Sequence, residues 1–342
     1  MRFGVSIVQP GDTLDEVRQV AELAEEVGLD LIGVPDTHTI CREAYVAAAM
    51  VAGVTRRALV GPMVTNPVTR HPTVTASAAL GLHELSGERA FVGMGAGESS
   101  VANAGLAPAT AAELEQAVVA IRAEMRSLQA NHRGGGAEPL PPLIVAARGP
   151  KTIAAAARCA DIVVLDLGKD PELVGAAIDL AQGERRASPL ADEPMEVWVL
   201  GKGFVSDDPE VGRTAVGAIM AASAVGLQTA LDFKQVPERL RGPLRELRER
   251  YEYARHAATR DGVGANADLL GPLGLEDFVY ERFALIGTGA EVAEQLRVLE
   301  EVGVSGVTFT GAVADKRELI RRLGTEVRPA LAAYPVSERG TR

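Results

Sequence analysis

The stretch "ALVGPMVTNPVTRHP", residues 58–72, decides how this chain is read. Its first seven residues are an apolar run of strand length, and the segment after it is helix-prone. Between them stands "TNPVTRHP" (65–72), with two prolines, an arginine, a histidine and an asparagine. A chain that only turns from strand to helix needs a few polar residues. This turn is stiffened twice, since each proline fixes φ, and it carries a cation and an imidazole as well.

Strand-like and helix-like runs alternate outward from this point in both directions. Strands are expected at 3–8, 31–34, 59–64, 90–93, 143–147, 162–165, 196–205 and 306–310. They are short and apolar on both faces, as in a buried parallel sheet. "TLDE" (13–16) has capping-box spacing before "VRQVAELAEEVG", with Gly28 where the helix should stop. Val292, Leu296, Leu299 and Val302 fall on one stripe of a second amphipathic helix. Eight strands alternating with helices predict an α/β fold of the (β/α)8 TIM-barrel type, formed by residues 1–342 as a single domain. A doubly wound open sheet is the alternative. It usually has fewer strands and a glycine fingerprint after the first, whereas "QPGDTLDE" follows here. Residues 206–282 form a mainly helical insertion after strand 7, expected to shape the substrate side of the pocket. A flexible surface connection is expected at 131–142.

Composition narrows the class. Of 342 residues, 47% are hydrophobic but only 4% aromatic, so Ala, Val and Leu must make the core. A net charge of −11 argues against nucleic acid as a partner, since its binders carry a basic face. Cys41 and Cys159 cannot make a disulfide framework and match no metal-ligand spacing, so no metal is expected. The longest apolar stretch, 44–54, is too short to span a bilayer, and no secretory leader is recognisable. A soluble cytoplasmic protein is expected.

In a barrel the site lies at the C-terminal ends of the strands, and polar and glycine residues collect there. Strand 2 is followed by "PDTHTICRE" (35–43), strand 4 by "GMGAGESS" (93–100), strand 5 by "AARGPKT" (146–152), and strand 6 ends in "LDLGK" (165–169). Glycines after strand 4 let a ligand approach the backbone, although glycines also serve ordinary tight turns. The "AARGPKT" turn precedes a helix, whose N-terminus suits a phosphate. Lys151 there either neutralises an anion or is simply solvated.

"VTNPVTRHPTVTASAALGLHELSGERAFVGMGAGES" resembles the luciferase-like monooxygenase superfamily, and in particular its deazaflavin-dependent branch, which includes methylenetetrahydromethanopterin reductase. "GVPDTHTICREAYVAAAMVA", "VAARGPKTIAAAARCADIVV" and "LIGTGAEVAEQLRVLEEVGVSGV" carry the same resemblance, which is weakest over 206–282. It implies a (β/α)8 barrel that binds coenzyme F420, an 8-hydroxy-5-deazaflavin, and moves a hydride between the deazaflavin C5 and a small organic substrate. An FMN-dependent monooxygenase of the same superfamily is the alternative, with FMN in place of F420. A non-catalytic binding protein on the same barrel is a third reading, against which the retained strand-end motifs speak. The resemblance also implies a homodimer.

Position by position, the family's non-prolyl cis peptide falls at Met63–Val64. Thr65 and Asn66 are placed to hydrogen-bond the ring, and Asp36 matches the acidic residue near it. Gly95, Ala96, Gly97 and Glu98 match the loop beside the ribityl and ring region. Ala147, Arg148, Gly149 and Pro150, followed by Lys151, match the phosphate-binding turn. Glu98 is the first candidate for a catalytic proton role and His38 the second, since Thr37 stands where some members carry a catalytic histidine. For either, an ordinary structural hydrogen bond is the competing explanation. Arg148, where a small residue is common, either adds a cation for the coenzyme or points to solvent. Arg70 and His71 either face the cofactor or tie the loop to its neighbours.

Overall fold

Among the described residues stand nine strands: β1 (Arg2–Ser6), β2 (Leu31–Val34), β3 (Leu59–Pro62), β4 (Val92–Met94), β5 (Leu143–Ala147), β6 (Ile162–Leu165), β7 (Glu196–Val205), β8 (Ala284–Gly287) and β9 (Gly306–Thr310). The computed structural model describes residues 1–132, 139–253 and 266–333. The middle of the connection expected at 131–142, and residues 254–265 of the insertion, lie outside them.

All strand pairs are parallel, in the order β3-β2-β1-β9-β7-β6-β5-β4. The wall closes where β4 meets β3, through bridges Val60↔Ala90 and Thr65↔Met94. Phe91 N–H donates to Val60 O at 3.0 Å and Thr65 N–H to Gly93 O at 2.9 Å across that seam. Eight parallel strands closed in this way, with helices outside, make a (β/α)8 barrel.

Each of the eight expected strands has a counterpart in this wall. The ninth, β8, was not expected. It follows the helix Glu276–Phe283 without a break, so "EDFVYERFALIG" reads as one mixed run. It is a strand because β7 is ten residues long: Trp198–Gly201 pair with β9, and Lys202–Val205, beyond that contact, pair with β8. Helices Pro209–Ala215, Gly217–Gly226, Glu238–Arg250 and Glu276–Phe283 stand between β7 and β8.

Local signals set the helix ends. Thr13 and Glu16 form the capping box of the helix Leu14–Glu26, and Gly28 follows in the left-handed region at φ +81°. Packing divides into two layers. Alanine-rich helix faces cover the outside of the wall, while Leu31, Met63, Phe91, Ile144, Ile162, Val164 and Trp198 fill the inside. Trp198 is fully buried, and a Cβ on Gly306 would sit 2.3 Å from its ring. The indole Nε1 donates to Glu196 Oε2 at 2.9 Å, and Arg2 lies 4.9 Å over the ring. The barrel is therefore plugged beside the first residues of β7, and the cavity lies towards the strand C-termini.

Candidate active site

The turn after β3 has its polar residues committed to the protein. The Met63–Val64 peptide is cis. Thr65 is fully buried, and its hydroxyl donates to Asp36 Oδ2 at 2.6 Å. Arg70 Nε donates to the same oxygen at 3.3 Å, and its guanidinium continues to Glu43 and stacks 4.9 Å over Tyr45. Asn66 Oδ1 accepts from the Val68 and Thr69 amides at 3.0 and 2.9 Å, and its Nδ2 donates to Ser100 Oγ at 3.1 Å. His71 caps the helix Pro72–Ser86 by accepting from Thr73 N–H at 3.3 Å. The cation and amide of "TNPVTRHP" thus bind the exits of β2, β3 and β4 to one another, while the imidazole caps the helix that follows.

A cavity of about 430 Å³ opens at this end of the barrel. Of the residues singled out in the sequence, Met63, Val64, Thr65, Gly95, Ala96, Gly97, Glu98, Ala147 and Arg148 line it. Asp36, Asn66, His38, Gly149, Pro150 and Lys151 do not. Asp36 and Asn66 are 3% and 1% exposed, and their side chains serve the loop bonds just described. Thr37 takes the place in the lining, while His38 points outward, exposed. Gly149 and Pro150 begin the helix Pro150–Cys159; Lys151 is exposed on it and Thr152 reaches the cavity instead.

Glycine is needed where β4 leaves the wall. A Cβ on Gly95 would lie 2.8 Å from Val64 Cγ2, and Gly97 sits at φ +84°. The β4 exit can thus press against the cis segment.

The opposite wall is charged. Arg148 donates to Glu98 Oε2 at 2.6 Å and contacts Asp166 Oδ2 at 3.2 Å, and Asp166 also pairs with Lys202. Lys202 lies 4.4 Å over the Phe283 ring. Burial pushes the Asp166 carboxyl up, but the charges of Lys202 and Arg148 outweigh it and hold it at about 2. Burial lowers Lys202 more than Asp166 restores it. For Arg148, burial is outweighed by Glu98 and Asp166, which raise it. Lys234, 1% exposed, is brought down to about 8 by burial first and by Arg148 next. Its Nζ donates to Gly226 O at 2.6 Å and to Thr229 Oγ1 at 3.2 Å.

Asp166 and Lys202 were not among the expected site residues. A lysine inside the apolar strand "VWVLGKGFV" was the available signal, because an unpaired buried ammonium is costly. Ile219, Ala222 and Ser223 of the helix Gly217–Gly226 complete the lining, from the insertion where the sequence pattern is least informative.

A closed parallel barrel with its cavity ringed by the strand C-termini and a carboxylate–guanidinium pair on its wall has the geometry of an enzyme-like site of the (β/α)8 class. The chain belongs to the luciferase-like monooxygenase family, whose model matches residues 1–306. It is 26% identical over 351 residues to the 5,10-methylenetetrahydromethanopterin reductase of Methanolobus tindarius, covering 96% of this chain and 99% of that one. Identity is also 26% over 345 residues with the reductase of that name from Archaeoglobus fulgidus, covering 97% and 100%. The fold is similar to the coenzyme F420 dependent tetrahydromethanopterin reductase of Methanopyrus kandleri, with TM-score 0.77 at 19% identity over 96% of this chain and 99% of that one. It also resembles an F420-dependent secondary alcohol dehydrogenase in complex with an F420-acetone adduct (TM-score 0.70, 16% identity, 96% and 98% covered).

Proposed function

We propose that this protein is an F420-dependent oxidoreductase that moves a hydride between the deazaflavin and a small organic substrate. The observation that carries this reading is one cavity bounded by the apolar Met63–Val64 exit on one side and the Glu98–Arg148 pair on the other. Its volume falls within the usual range of cofactor and ligand sites. The residues fit such a coenzyme. Met63, Val64, Gly95 and Ala96 offer an apolar wall to a ring system. The helix Pro150–Cys159 begins beside the cavity at Thr152, and its N-terminal amides suit an anionic group.

When bound, the coenzyme supplies the hydride chemistry at C5. The chain's residues bind, orient and handle a proton. Thr65, held by Asp36, keeps the β3 exit in place, and Gly97 lets the β4 backbone come close. Glu98 is the more exposed of the two carboxylates lining the cavity, 38% against 9% for Asp166, and is the group that holds or moves a proton. The insertion helix Gly217–Gly226 covers the substrate side of a single barrel domain.

Fluorescence titration tests the reading: F420 should bind more tightly than FMN. Micromolar FMN affinity without F420 binding would replace it with the FMN-dependent monooxygenase reading. The enzyme works in the cytoplasm as a homodimer, for which the exposed Val46 and Val74 on the adjacent helices Ala44–Val54 and Pro72–Ser86 provide apolar surface. A solution mass of 35.8 kDa by light scattering would contradict the dimer.

A further inference from the structure

We propose that Arg148 is a positioning residue for Glu98, and that it transmits to this carboxylate the placement of the helical insertion. The inference rests on the reading of Glu98 as the proton-handling group.

Three contacts fix the guanidinium. On one side it donates to Glu98 Oε2 at 2.6 Å. On another it meets Asp166 at 3.2 Å, and Asp166 is itself held by Lys202. The third contact is with the insertion: a Cβ on Gly226 would lie 2.6 Å from Arg148 Nη1 and 3.3 Å from Cζ. The last turn of the helix Gly217–Gly226 therefore lies against the guanidinium, and a side chain there would push the guanidinium aside. That turn is held in its own right, because Lys234 Nζ donates to Gly226 O at 2.6 Å. Arg282 in turn donates to Lys234 O at 3.1 Å, which ties this loop to the helix that leads into β8.

A continuous line thus runs from the base of the insertion through Lys234, Gly226 and Arg148 to Glu98. Arg148 touches both the barrel and the insertion. A guanidinium shared between two carboxylates has its donors directed by them, as its planar fork requires. It is accordingly turned to Glu98 and Asp166 rather than to a coenzyme phosphate. The charged and titratable groups around the pair are Asp166, Lys202 and Lys234, with Tyr251 and Tyr253 close enough to feel the Glu98 charge.

The test uses the full chain with Arg148→Met, Arg148→Lys and Gly226→Ala. Two readouts are taken: F420 affinity by fluorescence, and the Glu98 carboxylate stretch by infrared difference against Glu98→Gln in ¹³C-Glu-labelled protein. The expected result is a shifted and broadened Glu98 band in Arg148→Met and in Gly226→Ala, and a band returned towards wild type in Arg148→Lys. F420 affinity should change by less than about threefold in all three. An unmoved Glu98 band in Arg148→Met would overturn the proposal, as would a tenfold or greater loss of F420 affinity there. Should Arg148→Met fail to fold, Gly226→Ala decides, since it displaces the guanidinium without removing its charge. If wild-type protein does not bind F420, the coenzyme reading fails, while the infrared comparison still decides the positioning role.

Discussion

The two walls of the cavity are built on different principles. The wall from the β2, β3 and β4 exits is tied mostly by amides and hydroxyls, with Asn66 bonding its own turn two and three residues on. The wall from β4 to β7 is a row of charges, Glu98, Arg148, Asp166 and Lys202, drawn from residues 36 and 50 positions apart. The first wall is held closed because Asp36, Thr65 and Asn66 are nearly fully buried and spend their polar groups on one another and on the neighbouring exits. The second stays chemically responsive, since Arg148 and Glu98 remain 37% and 38% exposed to the cavity.

The largest effect should fall on the charged wall. Glu98→Gln is expected to lower turnover about 10²–10⁴-fold, as loss of a general acid or base does, with F420 affinity nearly unchanged. A loss of F420 affinity with turnover intact at saturating coenzyme would assign Glu98 to the holding side instead.

Next comes Asp166→Asn, which leaves Arg148 and Lys202 without the carboxylate they share. Breaking a buried ion pair at one partner costs about 3–5 kcal/mol, to be read from urea unfolding. The same residue gives a pH signature. Its folded pKa of about 2 lies below the ordinary 3.8, so its stabilisation is complete above pH 3.8 and is lost as pH falls towards 2. Asp166→Asn should flatten the stability profile across that window.

On the first wall, Thr65→Val removes the bond to Asp36 but leaves Arg70 in place. Hydrogen bonds to charged groups contribute about 1.5–3 kcal/mol, which denaturant unfolding would register. A cost as large as that of Asp166→Asn would erase the distinction between the walls. The smallest effect belongs to His38→Ala. The side chain is exposed and outside the cavity, so stability should change by no more than about 0.5 kcal/mol and turnover by less than about threefold. A hundredfold loss of turnover would place His38 in the chemistry.

Much of the architecture was legible in the residues themselves. Strand and helix periods, the Thr13–Glu16 cap and the Gly28 stop are local signals, set by backbone geometry within a few positions. The site's general location followed, because a barrel gathers its strand ends at one face, and the glycine run and "TNPVTRHP" mark two of those ends. Their inner wiring was not legible. Nothing in the spacing of Asp36, Thr65 and Arg70 says that the three side chains meet.

The ninth strand, the charged row and the rest of Gly226 on Arg148 were decided only in three dimensions. β8 is a strand because the second half of β7 needs a hydrogen-bonding neighbour beyond β9. Lys202 is tolerated in an apolar strand because Asp166, 36 positions earlier, neutralises it across the β6–β7 pair. Sequence by itself determined eight of the strands and the face where the cavity opens, since propensity and periodicity act over a few residues. Only the tertiary structure decided which charges share a dielectric environment and which side chains reach the cavity, since Coulomb energy and burial depend on distance in space rather than along the chain.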